Sequence, residues 1–281
     1  MTDSTTPESG YAQLGDLRMY YELHGAHADG TTPLLVLHGG LFDIDQQFGA
    51  LLPRLAESRL VVAVDFQGHG RTNDIDRAFG SAAFAADVIG VLDLLGIDRV
   101  DVFGFSVGGA VAIELAVRHP ERVRKLVASS VSFRADGMRG HDNADAVGSM
   151  TVDMIAGTPM EQSYLEKSPH PDREHLQRLL DKLGATYEGG FPDWSEDDIR
   201  SIAAPTLITV GDADMVSLAH AVEFLRLRGG DVNGDFEGLP PSQLAVFPGT
   251  THFFGLAHTE LVLAAVLPFL EQDVDHEGPA A

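Results

Sequence analysis

The 281-residue chain contains no cysteine. That removes disulfides, thiolate metal sites and a cysteine nucleophile from consideration. Basic residues are scarce: 19 Lys and Arg stand against 42 Asp and Glu, for a net charge of −23. Such a balance repels phosphate backbones and anionic lipid surfaces, so neither nucleic acid nor a membrane is an expected partner. It mildly favours neutral or cationic small molecules. No apolar run approaches the roughly 18 residues that a membrane-spanning helix needs. The opening MTDSTTPESGYAQ has neither a basic region nor an apolar stretch of the secretory kind. A cytoplasmic enzyme or binding protein is therefore expected, with its oligomeric state left open.

What is present is a rhythm. Residues 11–14 and 17–23, divided by Gly15-Asp16, read as a hairpin. Short apolar runs then alternate with amphipathic stretches. LLVLHGG (34–40) reads as a buried strand entering a glycine turn, and 48–59 as a helix with Pro53 in its first turn or at a kink. LVVAVDF (60–66), RVDVFGF (99–105) and VRKLVASSVS (123–132) read as strands, separated by helices over 81–96 and from Ser106 to the stop at Pro120. Alternation of this kind gives βαβ units and a mostly parallel sheet covered on both faces. It lapses over 133–204, which is rich in Met, His, Asp and Pro, and resumes with a strand at 205–214, a helix at 217–230, a strand at 242–252 and a last helix over 255–270. The expected organisation is one α/β core, 1–132 with 205–281, carrying a helical cap at 133–204.

In a parallel sheet, chemistry gathers at the carboxyl ends of the strands. Gly104-Phe105-Ser106-Val107-Gly108 lies at such an end and matches G-x-S-x-G, in which the turn is so tight that the flanking glycines must lack side chains. The competing interpretation is a glycine-rich turn with a serine N-cap. A serine nucleophile needs a base, and the base an orienting acid; on this topology they follow in the order Ser, Asp or Glu, His. TLITVGDADMV offers Asp212 and Asp214, and position favours Asp214, which lies further into the loop. His252, in the loop after LAVF, is the histidine with the expected place in the chain; His258 reads as a surface or capping residue. The oxyanion of a tetrahedral intermediate needs two N–H donors, expected from Val107 and from Gly40, with Leu41 as the alternative to Gly40. His38 is expected to brace the HGG turn.

Five segments in order, HGG (38–40), DFQGHGRT (65–72), GFSVGG (104–109), GDAD (211–214) and PGTTH (248–252), make the chain resemble the α/β-hydrolase family over roughly 17–270. The resemblance implies an eight-stranded, mostly parallel sheet with an antiparallel start and a cap inserted after the sixth strand. It also supports Asp214, which ends a G-x-x-D stretch, and makes Asp65 and Gly68-His69-Gly70 a structural turn. Branches of the family that use an aspartate nucleophile, for dehalogenation or epoxide hydrolysis, are disfavoured by Ser106.

The reaction expected is hydrolysis of a small-to-medium carboxylic ester or lactone with an apolar acyl part, without metal or cofactor. C–C bond hydrolysis, perhydrolysis or cofactor-free oxygenation on the same triad is the alternative, and a non-catalytic ligand-binding protein the rival from another class. Substrate contacts are expected from Leu41, Phe105, Met150 and Met154, with Phe42 and Phe253 flanking the catalytic turns. Arg134, Arg139 and His141 are candidates for meeting a carboxylate.

Overall fold

Strands β3 (Leu34–Leu37), β4 (Val61–Val64) and β5 (Val100–Phe105) are buried along their whole length. Strands apolar on both faces must be covered on both faces, and alternate residues divide between two cores. Leu35, Leu37, Val62, Val64, Val100 and Val102 pack with helices α3 (Ser81–Leu94) and α4 (Val107–Arg118). Leu34, Val36, Val61, Ala63 and Phe103 pack with α1 (Ile44–Phe48), α2 (Leu52–Leu55) and the last helix. The computed structural model describes residues 7–28, 30–139, 150–188 and 193–272.

The sheet has eight strands in the order β1-β2-β4-β3-β5-β6-β7-β8. β1 (Glu8–Leu14) and β2 (Leu17–His24) form the antiparallel hairpin, and β2 runs antiparallel to β4. The remaining pairings, through β6 (Val123–Ser129), β7 (Thr206–Ala213) and β8 (Ser242–Thr251), are parallel. This is the architecture expected of the chain.

Two local expectations are corrected. The helix over 48–59 is two short ones, α1 and α2, with Pro53 in the first turn of α2, where its missing N–H costs nothing. The last helix starts at Thr259, not at 255, because residues 252–257 form turns. Between β6 and β7 lie a 3-10 turn at Val152–Ile155 and helices α5 (Pro159–Lys167), α6 (Arg173–Glu188) and α7 (Glu196–Ser201). After β7 come α8 (Leu218–Leu227), α9 (Gly234–Glu237) and, beyond β8, α10 (Thr259–Glu271). Among the described residues no helix is long and apolar enough to cross a membrane.

Candidate active site

The turn from β5 into α4 gives Ser106 a φ of 54° and ψ of −114°, a backbone state that only a tightly constrained turn enforces. The surrounding glycines explain the constraint. A Cβ on Gly104 would lie 2.1 Å from the Gly108 carbonyl oxygen, and one on Gly108 would lie 2.1 Å from that of Leu37. Strand, turn and helix therefore approach to distances that no side chain tolerates, and Ser106 is lifted above the sheet edge.

Asp214 and His252 reach Ser106 through a register break. Gly211 pairs with Phe247, but Ala213 pairs with Thr251, so extra residues of β8 loop out opposite β7. Pairing resumes at Ala213 and Thr251, so Asp214 and His252 each follow directly on the last paired residues of their strands. His252 Nε2 lies 2.9 Å from Ser106 Oγ, and its Nδ1 lies 2.8 Å from Asp214 Oδ1. A carboxylate only accepts, so Nδ1–H donates to Asp214 and leaves Nε2 as the acceptor for the serine hydroxyl. All three residues are buried.

Asp214 is held on both oxygens. Oδ1 also accepts from the Val216 amide at 3.0 Å, and Oδ2 accepts from Ser130 Oγ at 2.6 Å and from the Gly211 amide at 3.3 Å. Burial pushes its carboxyl upward, but His252, Ser130 and the Val216 amide outweigh that and hold it below its ordinary value. Asp212, the other carboxylate considered, is exposed and accepts from the Thr250 amide at 3.2 Å; it touches the turn before His252, not the imidazole.

The HGG turn packs against the serine. A Cβ on Gly39 would lie 3.4 Å from that of Ser106, and one on Gly40 would lie 3.3 Å from Val107 Cγ2. Gly40 is thus beside the first residue of α4, whose amide has no partner within the helix. Leu41 turns the chain away with a φ of 69°. His38 braces this loop as expected. Its Nδ1–H donates to the Gly39 carbonyl at 2.7 Å and its Nε2 accepts from the Phe66 amide at 3.0 Å. Burial, with His69 nearby, pushes His38 down to about 3, so it is a neutral brace.

Above Ser106 and His252 lies a cavity of about 240 Å³. Of the residues named for substrate contact, Leu41, Phe105 and Met150 line it, with Phe42 and Phe253. Met154 does not: it is 64% exposed, and its sulfur accepts from the Thr151 amide. The 3-10 turn instead buries its neighbour Ile155, which packs in the hydrophobic core and does not line the cavity. Leu180 and Leu183 from α6, and Met215 after the acid, complete the wall; the sequence reading did not single them out. Leu176, Leu179, Leu180 and Leu183 recur at helical spacing, which is the signal that marks this face.

Of the basic candidates, Arg134 is engaged by Glu223 at 3.0 Å and Asp136 at 3.2 Å, away from the cavity. Arg139 is exposed, and His141 lies outside the described residues. Among the described residues no group of three or more His, Asp or Glu is placed to hold a metal ion.

A family model described as "alpha/beta hydrolase fold" matches residues 32–147, the span from β3 through the serine turn into the segment after β6. A 2-hydroxymuconate semialdehyde hydrolase of Pseudomonas putida is 29% identical over 273 residues, covering 87% of this chain and 89% of its own. Among solved structures, a putative lipase from Acinetobacter baumannii superposes with a TM-score of 0.72 at 20% identity, over 94% of this chain and 91% of that one. The enol-lactonase of Burkholderia xenovorans LB400 gives 0.67 at 19% identity, over 93% and 100%. With the eight-stranded order, the turn at Ser106 and these matches in agreement, the chain has the α/β-hydrolase fold.

Proposed function

We propose that the chain is a serine hydrolase acting on neutral carboxylic esters or lactones of small to medium size with an apolar acyl part. The observation that carries this is Ser106 Oγ, 2.9 Å from His252 Nε2, at the floor of a cavity walled by Leu, Met and Phe. Ser106 attacks the carbonyl carbon while Nε2 takes its proton. Asp214 holds the imidazole tautomer and stabilises the imidazolium. The amides of Val107 and Gly40, with Leu41 next in line, are the donors for the oxyanion. The imidazolium returns its proton to the departing alkoxide, and water, deprotonated by His252, then releases the acid from Ser106. No step calls for a metal or cofactor, and the only partner required is the small-molecule substrate. A cavity of about 240 Å³ is somewhat below the range typical of sites for drug-sized ligands, in keeping with a compact acyl group.

The test is intact mass after treatment with a fluorophosphonate, for wild type, Ser106→Ala and His252→Ala, alongside turnover of p-nitrophenyl acetate, butyrate and octanoate. One adduct on wild type, none on either variant, and loss of turnover together with the adduct supports the reading. A folded wild type that takes no adduct overturns it in favour of a ligand-binding protein.

A second reading rests on the Pseudomonas putida relative. A 2-hydroxymuconate semialdehyde has no ester, so its hydrolysis breaks a C–C bond beside a carbonyl, and the same triad serves that reaction. Such a substrate also carries a carboxylate, and the described cavity wall holds no Arg or Lys. That favours the neutral ester. Faster turnover of a vinylogous keto acid than of any aryl ester would reverse the preference.

A further inference from the structure

β6 ends at Ser129, and Ser130 follows it with a φ of 48°, in the left-handed region that glycine occupies freely and serine rarely adopts. Ser130 is buried. Its amide donates to the Thr209 carbonyl at 2.8 Å, which ties it to β7. Its Oγ lies 2.6 Å from Asp214 Oδ2. An ionised carboxylate cannot donate, so the hydroxyl proton points at Asp214. One residue earlier, the Ser129 carbonyl accepts the amide of Ser106 at 2.9 Å. Two consecutive residues at one strand end therefore touch the backbone of the nucleophile and the side chain of the acid.

We infer that Ser130 is a positioning residue for the Asp214–His252 pair, acting through its hydroxyl on the outer oxygen of the carboxylate. The inference rests on the hydrolytic reading of the same triad. Without the hydroxyl, Oδ2 keeps only the long 3.3 Å contact to the Gly211 amide, and the carboxylate plane is free to turn about its terminal torsion. Oδ1 then presents less constantly to His252 Nδ1, and the imidazole is less well held for its work at Ser106. Ser130 does not line the cavity, so substrate binding is unaffected. A backbone role alone is served better by glycine, which adopts this φ without strain. That difference separates the two roles.

The experiment uses the full chain and the variants Ser130→Gly and Ser130→Ala. Wild type is first labelled with a fluorophosphonate; then kcat, KM, the pH dependence of kcat/KM and thermal unfolding are measured for all three proteins. The downfield proton NMR signal of the Nδ1–H shared by His252 and Asp214 gives a readout independent of turnover. The expected result for Ser130→Gly is a kcat lower by roughly tenfold, the scale of one lost hydrogen bond to a charged group, with KM unchanged. The Nδ1–H signal is weakened or lost, and stability equals or exceeds that of wild type.

The acid limb of kcat/KM moves to lower pH, because a carboxylate that turns away from Nδ1–H stabilises the imidazolium less. His252 supplies the charge that acts on Asp214, and the remaining groups on it, Ser130 and the amides of Gly211 and Val216, are neutral donors. Ser130→Ala shows the same kinetic changes with lower stability, and it serves as the second variant if the glycine variant does not fold. Wild type that labels, with Ser130→Gly unchanged in kcat, pH profile and NMR signal, overturns the role of Ser130 alone. Wild type that takes no label overturns both this inference and the hydrolytic reading.

Discussion

Asp43, in the loop after β3, accepts from Lys167 Nζ of helix α5 at 2.9 Å. The same carboxylate accepts from Ser163 Oγ, one turn earlier on α5, and from the Gln46 amide at 3.0 Å, so it also caps α1. Lys167 reaches Asp45 at 2.7 Å as well. Burial works against the ionised form of Asp43, yet Ser163, Lys167 and the Gln46 amide hold its carboxyl below the ordinary range. One buried charge thus fastens α5 to the loop whose Gly39, Gly40 and Leu41 border the cavity. Lys167→Met leaves that charge with neutral donors only. The expected outcome is a loss of about 1–3 kcal/mol in urea unfolding and a severalfold rise in KM for octanoate esters, with kcat little changed. Unaltered stability and KM would mean that the ion pair does not hold α5 against that loop.

The close approach around Ser106 gives a sharper expectation. A Cβ on Gly104 or Gly108 meets backbone carbonyl oxygen at 2.1 Å, and backbone cannot swing aside as a side chain can. Gly104→Ala and Gly108→Ala should each cost about 3 kcal/mol or more, lowering Tm by roughly 6–12 °C, or prevent folding. Gly80 is the control, since a Cβ there meets nothing within 4 Å and its φ of 178° is open to any residue. Thermal unfolding of the three variants side by side decides the matter; equal Tm values would mean that the turn is looser than these distances require.

Those same glycines explain why the serine was legible in the sequence. A turn that forbids side chains at two positions writes itself as G-x-S-x-G, and a parallel sheet places the acid and the base after later strands. Asp214 and His252 followed from chain order, although only the register break between β7 and β8 shows how they meet. The stretch between β6 and β7 was less legible. Met154 and Ile155 are adjacent in a four-residue 3-10 turn, where no period tells which faces inward. Leu180 and Leu183 did carry a helical period, but a period names a face and not what the face covers. Ser130 was silent because its partner lies 84 residues away, across the β6–β7 contact.

Buried histidines set the acid limit of the fold. Burial pushes His38 down to about 3, and His69 and His220 down to about 4. Their ordinary value is about 6.5, so the unfolded chain binds their protons first, and the stability they contribute is complete above pH 6.5 and lost as pH falls toward 4. Asp65 acts in the opposite sense. Burial raises it to about 7 against the pull of the Arg71 and Ile44 amides, so its contribution is present below about 3.9 and lost as pH rises through 7. Between pH 4 and 6.5 unfolding takes up three protons at histidine and releases one at Asp65, a net uptake of two. Stability should fall by roughly 3 kcal/mol per pH unit on acidification across that window. Urea unfolding at pH 7.5, 6.0 and 5.0 measures the slope. His220→Gln, at a ring that does not line the cavity and whose Nε2 accepts from the Phe133 amide in wild type, should flatten it by about 1.4 kcal/mol per unit. A flat profile would mean that these rings carry protons inside the fold.

The two carboxylates of GDAD should separate cleanly in kinetics. Asp214 accepts Nδ1–H of His252, and an asparagine there offers an N–H in place of a lone pair for one of its two orientations. That draws the proton to Nε2, where it blocks proton transfer from Ser106. Asp214→Asn should therefore lower kcat on p-nitrophenyl butyrate by about 10³–10⁴-fold. Asp212 accepts the amides of Gly249 and Thr250, which hold its carboxyl below the ordinary range, and the oxygen of an asparagine can accept them too. Asp212→Asn should stay within about fivefold of wild type, because the donors it satisfies are neutral and the site faces water. The measurement is kcat and fluorophosphonate labelling rate for both variants, with folding checked by circular dichroism. If Asp212→Asn were the crippled protein and Asp214→Asn the active one, the acid would have to approach His252 from the other side of the β8 turn, and the hydrogen-bonded chain from Ser130 through Asp214 to Ser106 would not be the one that works.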